Sequence, residues 1–267
     1  MHLLLLIQNG YGQWLSYSAR SSGMGNTGLD LSDVTGVLLN PAALAGQEAT
    51  TLLASAHQPY MLAELGTYNV AAAIPIRHAG WGLALTYSGY EAFNQKKAAL
   101  SYGRSITEFI SLGIQLDYIQ TAVSEYGTSH TFTGDVGTLV AISSQLRLAA
   151  HVFNPYPINW GFGEQKVPTV FRMGLAYRPA EPLLINAEVE KDIDQPGRIK
   201  TGVEYQPADP LFLRAGLLTN PAVFCAGAGL RLGRMQLDFS AQYHQVLGIT
   251  PAASVWLVLP AKSKAAQ

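Results

Sequence analysis

From position 49 to position 259 the chain alternates between apolar and polar residues, with turn residues at short intervals. Successive side chains of a β-strand point to opposite faces, so a period of two predicts strands with one apolar and one polar face. In the segment Met235–His244, for example, Leu237 and Phe239 lie on one face and Gln236 and Asp238 on the other. The pattern therefore predicts an all-β fold after position 49.

The alternation and the turn residues together predict about 14 strands. They are Ala49–His57, Glu64–Pro75, Gly80–Gly89, Gln95–Arg104, Glu108–Thr121, His130–Ile142, Gln145–Phe153, Thr169–Arg178, Leu183–Glu190, Arg198–Gln206, Leu211–Leu218, Val223–Leu232, Met235–His244 and Ala252–Leu259. Helical periodicity is confined to the segment before them, where Leu31–Leu39 could form one or two turns.

The connections between these strands are predicted to be short and long in turn. The short ones are Ile76–Ala79, Ser105–Thr107, Ser143–Ser144, Pro179–Pro182, Pro207–Pro210 and Gly233–Arg234, and the long ones Gln58–Ala63, Tyr90–Asn94, Ala122–Ser129, Asn154–Pro168, Lys191–Gly197 and Gln245–Pro251. Outer-membrane barrels have short periplasmic turns and longer outer loops, whereas the Greek-key crossings of a soluble sandwich impose no such parity.

Composition favours the membrane barrel over a soluble sandwich. Hydrophobic residues make up 48% of the chain and charged residues 13%, against about 25% charged residues in soluble domains. The mean hydropathy is +0.14, yet no apolar run approaches the ~18 residues of a membrane-spanning helix. Several tyrosines also lie near predicted strand ends, as in the interfacial girdles of such barrels. We therefore predict a transmembrane antiparallel β-barrel over residues 49–259, in the bacterial outer membrane.

If the apolar faces point to lipid, the polar faces line the lumen. The charged residues predicted to face inward are Asp117, Arg147, Arg172, Glu188, Glu190, Glu204, Arg214, Arg231 and Asp238. Their signs are mixed, which favours a structural ion-pair network over the single-sign lining of an ion-selective pore.

The segment 19–46 lacks strand alternation and is rich in Gly, Ser, Asn and Asp. We predict that it folds inside the barrel, or across its mouth, as an N-terminal hatch. Its candidate structural residues are Gly23, Gly25, Asp30, Asp33, Asn40 and Pro41. Residues 1–12 contain a short apolar run typical of a truncated signal peptide, and residues 260–267 are predicted to form a periplasmic tail.

A set of short motifs in fixed order resembles a known family. They are Gly23-Met24-Gly25, Asp30 with Asp33, Asn40-Pro41-Ala42 and Leu44-Ala45, then His151–Pro155, Glu188–Asp194, Gly202–Tyr205, Leu213–Gly216, and Gln236–Phe239 followed by His244 and Leu247-Gly248. In this order the chain resembles the FadL-like outer-membrane barrels, and among them the PorV/PorQ branch. The resemblance implies 14 strands and an N-terminal hatch. It also implies type IX secretion or surface attachment for PorV and PorQ, and passage of hydrophobic molecules for FadL relatives.

Catalytic and cofactor chemistry is not indicated. The glycines Gly23, Gly25 and Gly28 spell a dinucleotide fingerprint by letters, but no strand precedes them. No His pair has metal-ligand spacing, and Cys225 is the one cysteine. The net charge is −1 and the sequence has no basic patch, so nucleic acid is not an expected partner. We therefore expect a protein that is not an enzyme and has no cofactor or metal.

The sequence leaves three functions open. The first is a PorV/PorQ-like barrel whose partners are outer-membrane lipid and type IX secretion components or cargo. The second is a FadL-like transporter of hydrophobic small molecules, for which Phe153, Phe212 and Trp256 are predicted to face inward. The third is a soluble β-sandwich that binds a ligand.

Overall fold

The computed structural model describes residues 17–156, 158–160 and 166–260. The predicted signal peptide 1–12 and the tail from position 261 lie outside the described residues. Two short helices come first, α1 (Ala19–Gly23) and α2 (Gly36–Leu39), followed by a 3-10 turn at Pro41–Gly46. None of the described helices has both the length and the apolar character that a membrane-spanning helix requires.

The rest of the described chain is β-structure. Its strands are β1 (Thr51–His57), β2 (Thr67–Ile76), β3 (Ala79–Tyr90), β4 (Phe93–Ser105), β5 (Ile110–Val123), β6 (Gly127–Ala141), β7 (Leu146–Phe153), β8 (Val170–Ala180), β9 (Leu183–Asp192), β10 (Arg198–Ala208), β11 (Leu211–Leu218), β12 (Val223–Leu232), β13 (Met235–His244) and β14 (Gly248–Val258). All fourteen predicted strands are confirmed, and most bounds differ by only a few residues.

Every strand pairs antiparallel with its neighbours in the sequence, and the ring closes where β1 pairs with β14. The closing ladder runs from Thr51 opposite Val258 to His57 opposite Ala252. A closed ring leaves no sheet edge with unpaired backbone groups, which lipid would not tolerate. Because the strands form one closed ring, the soluble β-sandwich alternative is excluded.

The alternation seen in the sequence sets the two faces of the ring. In β13, Gln236, Asp238 and Ser240 are buried, whereas Phe239 and Tyr243 are exposed. The polar residues therefore point inward and the apolar residues outward, the reverse of a soluble core. This is the arrangement of a barrel whose outer face meets lipid.

The connections differ from their predicted lengths. Three of those expected to be long are mostly strand: Tyr90–Asn94, Ala122–Ser129 and Gln245–Pro251. The ladders continue there through Gly89 opposite Asn94, Ala122 opposite Thr128 and Gln242 opposite Thr250. Backbone hydrogen bonds do not depend on side-chain alternation. Gly, Asn and Ser at these positions interrupt the alternation but not the strand, so the sequence pattern underestimated the strand length. The longest connections are residues 58–66 and 154–169. We call the end of the barrel that carries them the outer end.

The N-terminal segment 17–46 packs against inward faces on opposite sides of the ring. Helix α1 contacts β11 to β14, and the turn Pro41–Gly46 contacts β3 to β6. Since these strands face each other across a closed barrel, the segment crosses the lumen. That it acts as a hatch is still a prediction.

Candidate functional site: the lumen of the barrel

Glycines on the inward faces let the segment 17–46 lie directly on the wall. A Cβ at Gly113 would come within 2.2 Å of the Ala42 nitrogen, and one at Gly216 within 2.2 Å of the Gly25 nitrogen. At Gly137 it would come within 1.9 Å of Asn40 Oδ1. No side chain larger than hydrogen fits at these points, so wall and segment are complementary in shape.

The motif Asn40-Pro41 fixes the middle of the segment. The side-chain oxygen of Asn40 accepts a hydrogen bond from the Ala42 nitrogen at 3.1 Å and so caps the following turn. Its Nδ2 donates to the backbone oxygens of Leu29 at 2.9 Å and Thr138 at 3.3 Å. One buried amide thus holds the segment both to itself and to β6.

The two predicted aspartates of the segment bind different partners. Asp33 pairs with Arg20 at 2.5 Å and accepts from the Thr35 nitrogen at 2.7 Å. Asp30 accepts a hydrogen bond from Asn186 at 3.2 Å, and burial raises the pKa of its carboxyl. Asp30 therefore contacts the wall at β9, whereas Asp33 bonds within the segment. The predicted Gly25 has a backbone φ of +68°, a conformation that favours glycine.

A first ionic cluster ties α1 to the wall beside it, formed by β10, β11 and β13. Arg20 donates two hydrogen bonds to Glu204, at 2.8 and 2.5 Å. Arg214 donates to Glu204 at 2.7 Å and lies 2.8 Å from Asp238. Burial by itself would lower the pKa of Arg20, but the carboxylates of Glu204 and Asp33 outweigh it and raise that pKa. The ion pairs of Glu204 with Arg20 and Arg214 thus hold the segment to the wall.

Two further carboxylates complete this side of the lumen. Glu190 pairs with the buried Lys200, which also donates to the Tyr17 hydroxyl at 3.3 Å. Burial raises the pKa of that hydroxyl. Glu188 accepts from the backbone nitrogens of Gly28 at 2.6 Å and Leu29 at 2.9 Å. Glu188 therefore holds the N-terminal segment directly, and Glu190 does so only through Lys200.

Five charged or titratable residues of β4 to β8 form a second group, which we call the polar cluster: Lys97, Asp117, Asp135, His151 and Arg172. Lys97 Nζ lies 3.6 Å from Asp117 Oδ2, and His151 Nε2 lies 3.3 Å from Asp135 Oδ2. Arg172 Nη2 contacts His151 Nδ1 at 2.8 Å and donates to the Leu39 oxygen at 2.8 Å. The amide of Gln115 donates to both aspartates.

Seven of the nine charges predicted to face the lumen are buried there. They are Asp117, Arg172, Glu188, Glu190, Glu204, Arg214 and Asp238. The other two, Arg147 and Arg231, are exposed, because they lie near the inner strand ends where solvent reaches them. Arg147 contacts Ser32 Oγ at 3.4 Å, and Arg231 stacks on Phe212 with its guanidinium 4.6 Å from the ring centre.

The prediction missed Lys97, Asp135, His151 and Arg20. The parity of β4 points to Lys97, because it shares a face with the buried Gln95 and Ala99. His151 shares a face with Phe153 in the same way. Arg20 lies in a segment without alternation, so no sequence signal marks its partner.

Apolar side chains meet between the segment, the wall and the outer connection. This apolar cluster contains Tyr17, Val34, Val37, Leu38, Leu39, Leu44, Leu53, Ala71, Ala73, Ala84, Ala99, Phe153, Trp160, Val167 and Val170, with Phe93 and Trp256 against it. Trp160 donates to Thr121 Oγ1 at 3.0 Å, and Ser129 donates to the Trp160 oxygen at 2.9 Å. These bonds draw part of the connection 154–169 inward over the barrel.

Of the three aromatic residues predicted to face inward, Phe153 and Phe212 are buried and Trp256 is half-buried. Phe153 belongs to the apolar cluster, and Trp256 packs against it while donating to Asp238 at 2.9 Å. Phe212 lies apart from them, under Arg214 and Arg231. Over the described ranges, no three His, Cys, Asp or Glu side chains come together as a metal site.

Fold and lumen together define a class: a closed barrel of fourteen antiparallel strands, crossed by its own N-terminal segment. Neither a protein-family model nor a curated protein matches the chain. Solved structures do match. The CymD monoaromatic hydrocarbon channel is similar with a TM-score of 0.71 and 13% identity, over 94% of this chain and 99% of that one.

The toluene transporter TbuX of Ralstonia pickettii gives a TM-score of 0.70 at 9% identity, over 93% of this chain and all of that one. A FadL homologue of Pseudomonas aeruginosa gives 0.69 at 10%, over 92% of this chain and all of that one. Identities this low establish a shared fold alone. They agree with the FadL-like resemblance, whereas assignment to the PorV/PorQ branch is not confirmed and stays a prediction.

Proposed function

We propose that this chain is a bacterial outer-membrane channel for hydrophobic small molecules. The apolar cluster carries the proposal. It joins Trp160 and Val167 of the outer connection to Phe153 of the wall and to Leu39 and Leu44 of the N-terminal segment. An apolar solute that moves from water into contact with apolar side chains is stabilised by about 25 cal/mol per Å² of apolar area buried.

The fold supports the same function. The similar solved structures are named as a monoaromatic hydrocarbon channel, a toluene transporter and a FadL homologue. A fold does not fix a function, so the argument depends on the lumen. The apolar cluster in the lumen contains many more residues than the three aromatic ones that strand alternation predicted to face inward. The additional side chains come from the N-terminal segment, the outer connection and other positions of the wall.

A PorV/PorQ-like role in type IX secretion is the alternative. Binding a secreted protein would call for long outer loops, yet the connections at residues 91–92 and 124–126 are short. An affinity pull-down from detergent-solubilised outer membranes separates the two functions. Recovery of translocon subunits or cargo supports secretion, whereas recovery of the barrel alone with a bound apolar molecule supports transport.

The direct test is uptake by cells that lack a hydrocarbon or fatty-acid channel of their own. We expect the chain to accelerate entry of radiolabelled toluene and to leave entry of sucrose unchanged. Ala71→Trp adds a large side chain to the inward wall and should reduce toluene entry severalfold. Ala72→Trp, the next residue on the outward face of β2, is the matched control and should not.

Both variants must reach the outer membrane folded, which the heat-dependent gel mobility of a barrel reports. Toluene entry no faster than in cells without the protein would contradict the proposed function. Equal entry through the two tryptophan variants would show that toluene does not pass the apolar cluster.

A further inference from the structure

We propose that the polar cluster is a binding site for the hydroxyl group of a neutral aromatic or aliphatic alcohol whose apolar part lies in the apolar cluster. The inference rests on the proposed function and narrows its substrate class. It requires that the two clusters adjoin, that the polar cluster has free hydrogen-bonding atoms, and that its charges balance.

The two clusters share a boundary along β4 to β8. Phe153 of β7 pairs with Asp135 of β6, and the centre of the Phe153 ring lies 5.7 Å from Lys97 Nζ. Arg172 follows Val170 on the same inward face and donates to the Leu39 oxygen. A molecule held against Phe153, Val170 and Leu39 therefore has the polar cluster beside it.

Several buried atoms of the polar cluster lack a hydrogen-bond partner within the described chain. They are Asp135 Oδ1 and the Nε and Nη1 of Arg172; Asp117 Oδ2 likewise accepts no hydrogen bond, although the ammonium of Lys97 lies 3.6 Å from it. All three side chains are buried, Asp117 completely. An unpaired polar atom in such a place is costly, especially on a charged group. Free acceptors and free donors lie in the same cluster, which suits a group that both donates and accepts.

The charges of the polar cluster balance without a ligand. Lys97 and Arg172 are positive, and Asp117 and Asp135 are negative. Arg172 has only donors to offer, so His151 Nδ1 must accept its N–H, and the ring proton lies on Nε2, toward Asp135. His151 is therefore neutral. The carboxylate of a ligand would add an unpaired negative charge to the polar cluster, which is buried and has no net charge, and this is unfavourable.

A hydroxyl meets both requirements, since it carries one donor and two acceptor positions and no charge. A pure hydrocarbon would occupy the apolar cluster alone and leave the free atoms unpaired. The expected order of affinity is alcohol first, hydrocarbon second and carboxylate last.

The test uses three probes that share one ring: p-cresol, toluene and p-toluate. Isothermal titration of the purified full chain in detergent, corrected against protein-free micelles, gives their affinities. We expect p-cresol to bind about tenfold more tightly than toluene, since a hydrogen bond to a charged group is worth about that factor. We expect p-toluate to bind more weakly than both.

The variant Asp117→Asn tests the site itself. Gln115 donates to Asp117 Oδ1, so the amide oxygen keeps that place and the NH₂ replaces Oδ2, the oxygen that accepts no hydrogen bond and faces Lys97. Lys97 also loses its counter-charge. The preference for p-cresol should fall severalfold, p-toluate should gain affinity, and toluene should bind as before, which also shows that the variant is folded. Asp194→Asn, in the exposed outer turn, is the control and should change none of the three.

The outcomes separate the two proposals. Equal affinity for p-cresol and toluene overturns the hydroxyl site, since bound water would then satisfy the free atoms. Affinity for p-toluate equal to that for p-cresol overturns the neutrality argument. Failure of all three probes to bind counts against the channel function as well.

Discussion

At the scale of single residues, close backbone approach decides where the N-terminal segment lies. Gly113 faces the peptide between Pro41 and Ala42 so closely that any Cβ would collide with backbone atoms. Backbone cannot rotate away as a side chain can, so the cost of a methyl group there is overpacking strain. The same contact at Gly216, against Met24 and Gly25, fixes the other end of the segment.

We therefore expect Gly113→Ala to lower the free energy of unfolding by about 1–3 kcal/mol, the usual cost of overpacking. Unfolding in urea, followed by heat-dependent gel mobility, measures it. Gly197→Ala is the control, because a Cβ there would have no neighbour nearer than 3.8 Å and so costs little. Similar losses in the two variants would contradict the close approach.

The pKa of Asp30 gives a second residue-scale prediction. Burial raises it above the ordinary value, although the charge of Arg147 opposes this. The protonated carboxyl is thus the form that the fold prefers. Its contribution to stability is complete below the pKa of the unfolded chain, about 3.9, and is lost as the pH rises through the folded pKa.

Asp30→Asn should therefore stabilise the barrel at neutral pH and have a smaller effect under acid conditions. Urea unfolding at several pH values checks this. The buried Asn186 can still donate to the new amide oxygen. A variant that is less stable than the parent at neutral pH would show that the charged carboxylate is the form the fold needs.

At the scale of elements, the strands follow from the sequence because period-two alternation is a local property. It gave β11, β12 and β13 their observed bounds and placed seven of nine charges inside. Local alternation does not report which inward residues touch. Arg20 of α1 meets Glu204 of β10, and Lys97 of β4 meets Asp117 of the adjacent β5, so both contacts depend on tertiary structure and register.

The outward faces carry a depth-dependent prediction. Phe239 is exposed near the middle of β13, and Tyr243 is exposed near its outer end. If lipid covers this face, Phe239→Arg should cost about 2–4 kcal/mol and Tyr243→Arg about 0–1 kcal/mol. Urea unfolding from lipid vesicles measures both. Equal costs would mean that Phe239 does not lie near the bilayer midplane.

At the scale of the whole molecule, we predict that the segment 17–46 decides whether the ring is an open pore or a closed one. It crosses the lumen, binds Glu204 and Glu188 on one side and packs on Gly113 and Gly137 on the other. The sequence marked this segment by its lack of alternation. It could not supply these contacts, since each joins positions far apart in the chain.

If the segment blocks the lumen, deletion of residues 19–46 should raise single-channel conductance in planar bilayers severalfold. Because the deletion also removes apolar side chains from the lumen, a milder variant is needed beside it. Arg20→Met keeps the length of the segment but breaks its pairs with Glu204 and Asp33, leaving the buried Glu204 and the partly buried Asp33 with fewer partners.

We expect Arg20→Met to produce brief openings that the parent lacks, because the segment can then leave the wall without separating charges. Arg234→Met, in the inner turn between β12 and β13, changes the same residue type away from the segment and should stay closed. If both the deletion and Arg20→Met insert as folded barrels with the parent's conductance, the segment does not close the pore, and an apolar solute must be halted elsewhere. If Arg20→Met opens but the deletion variant does not, the lumen collapses when the segment is removed, and the segment therefore also supports the wall.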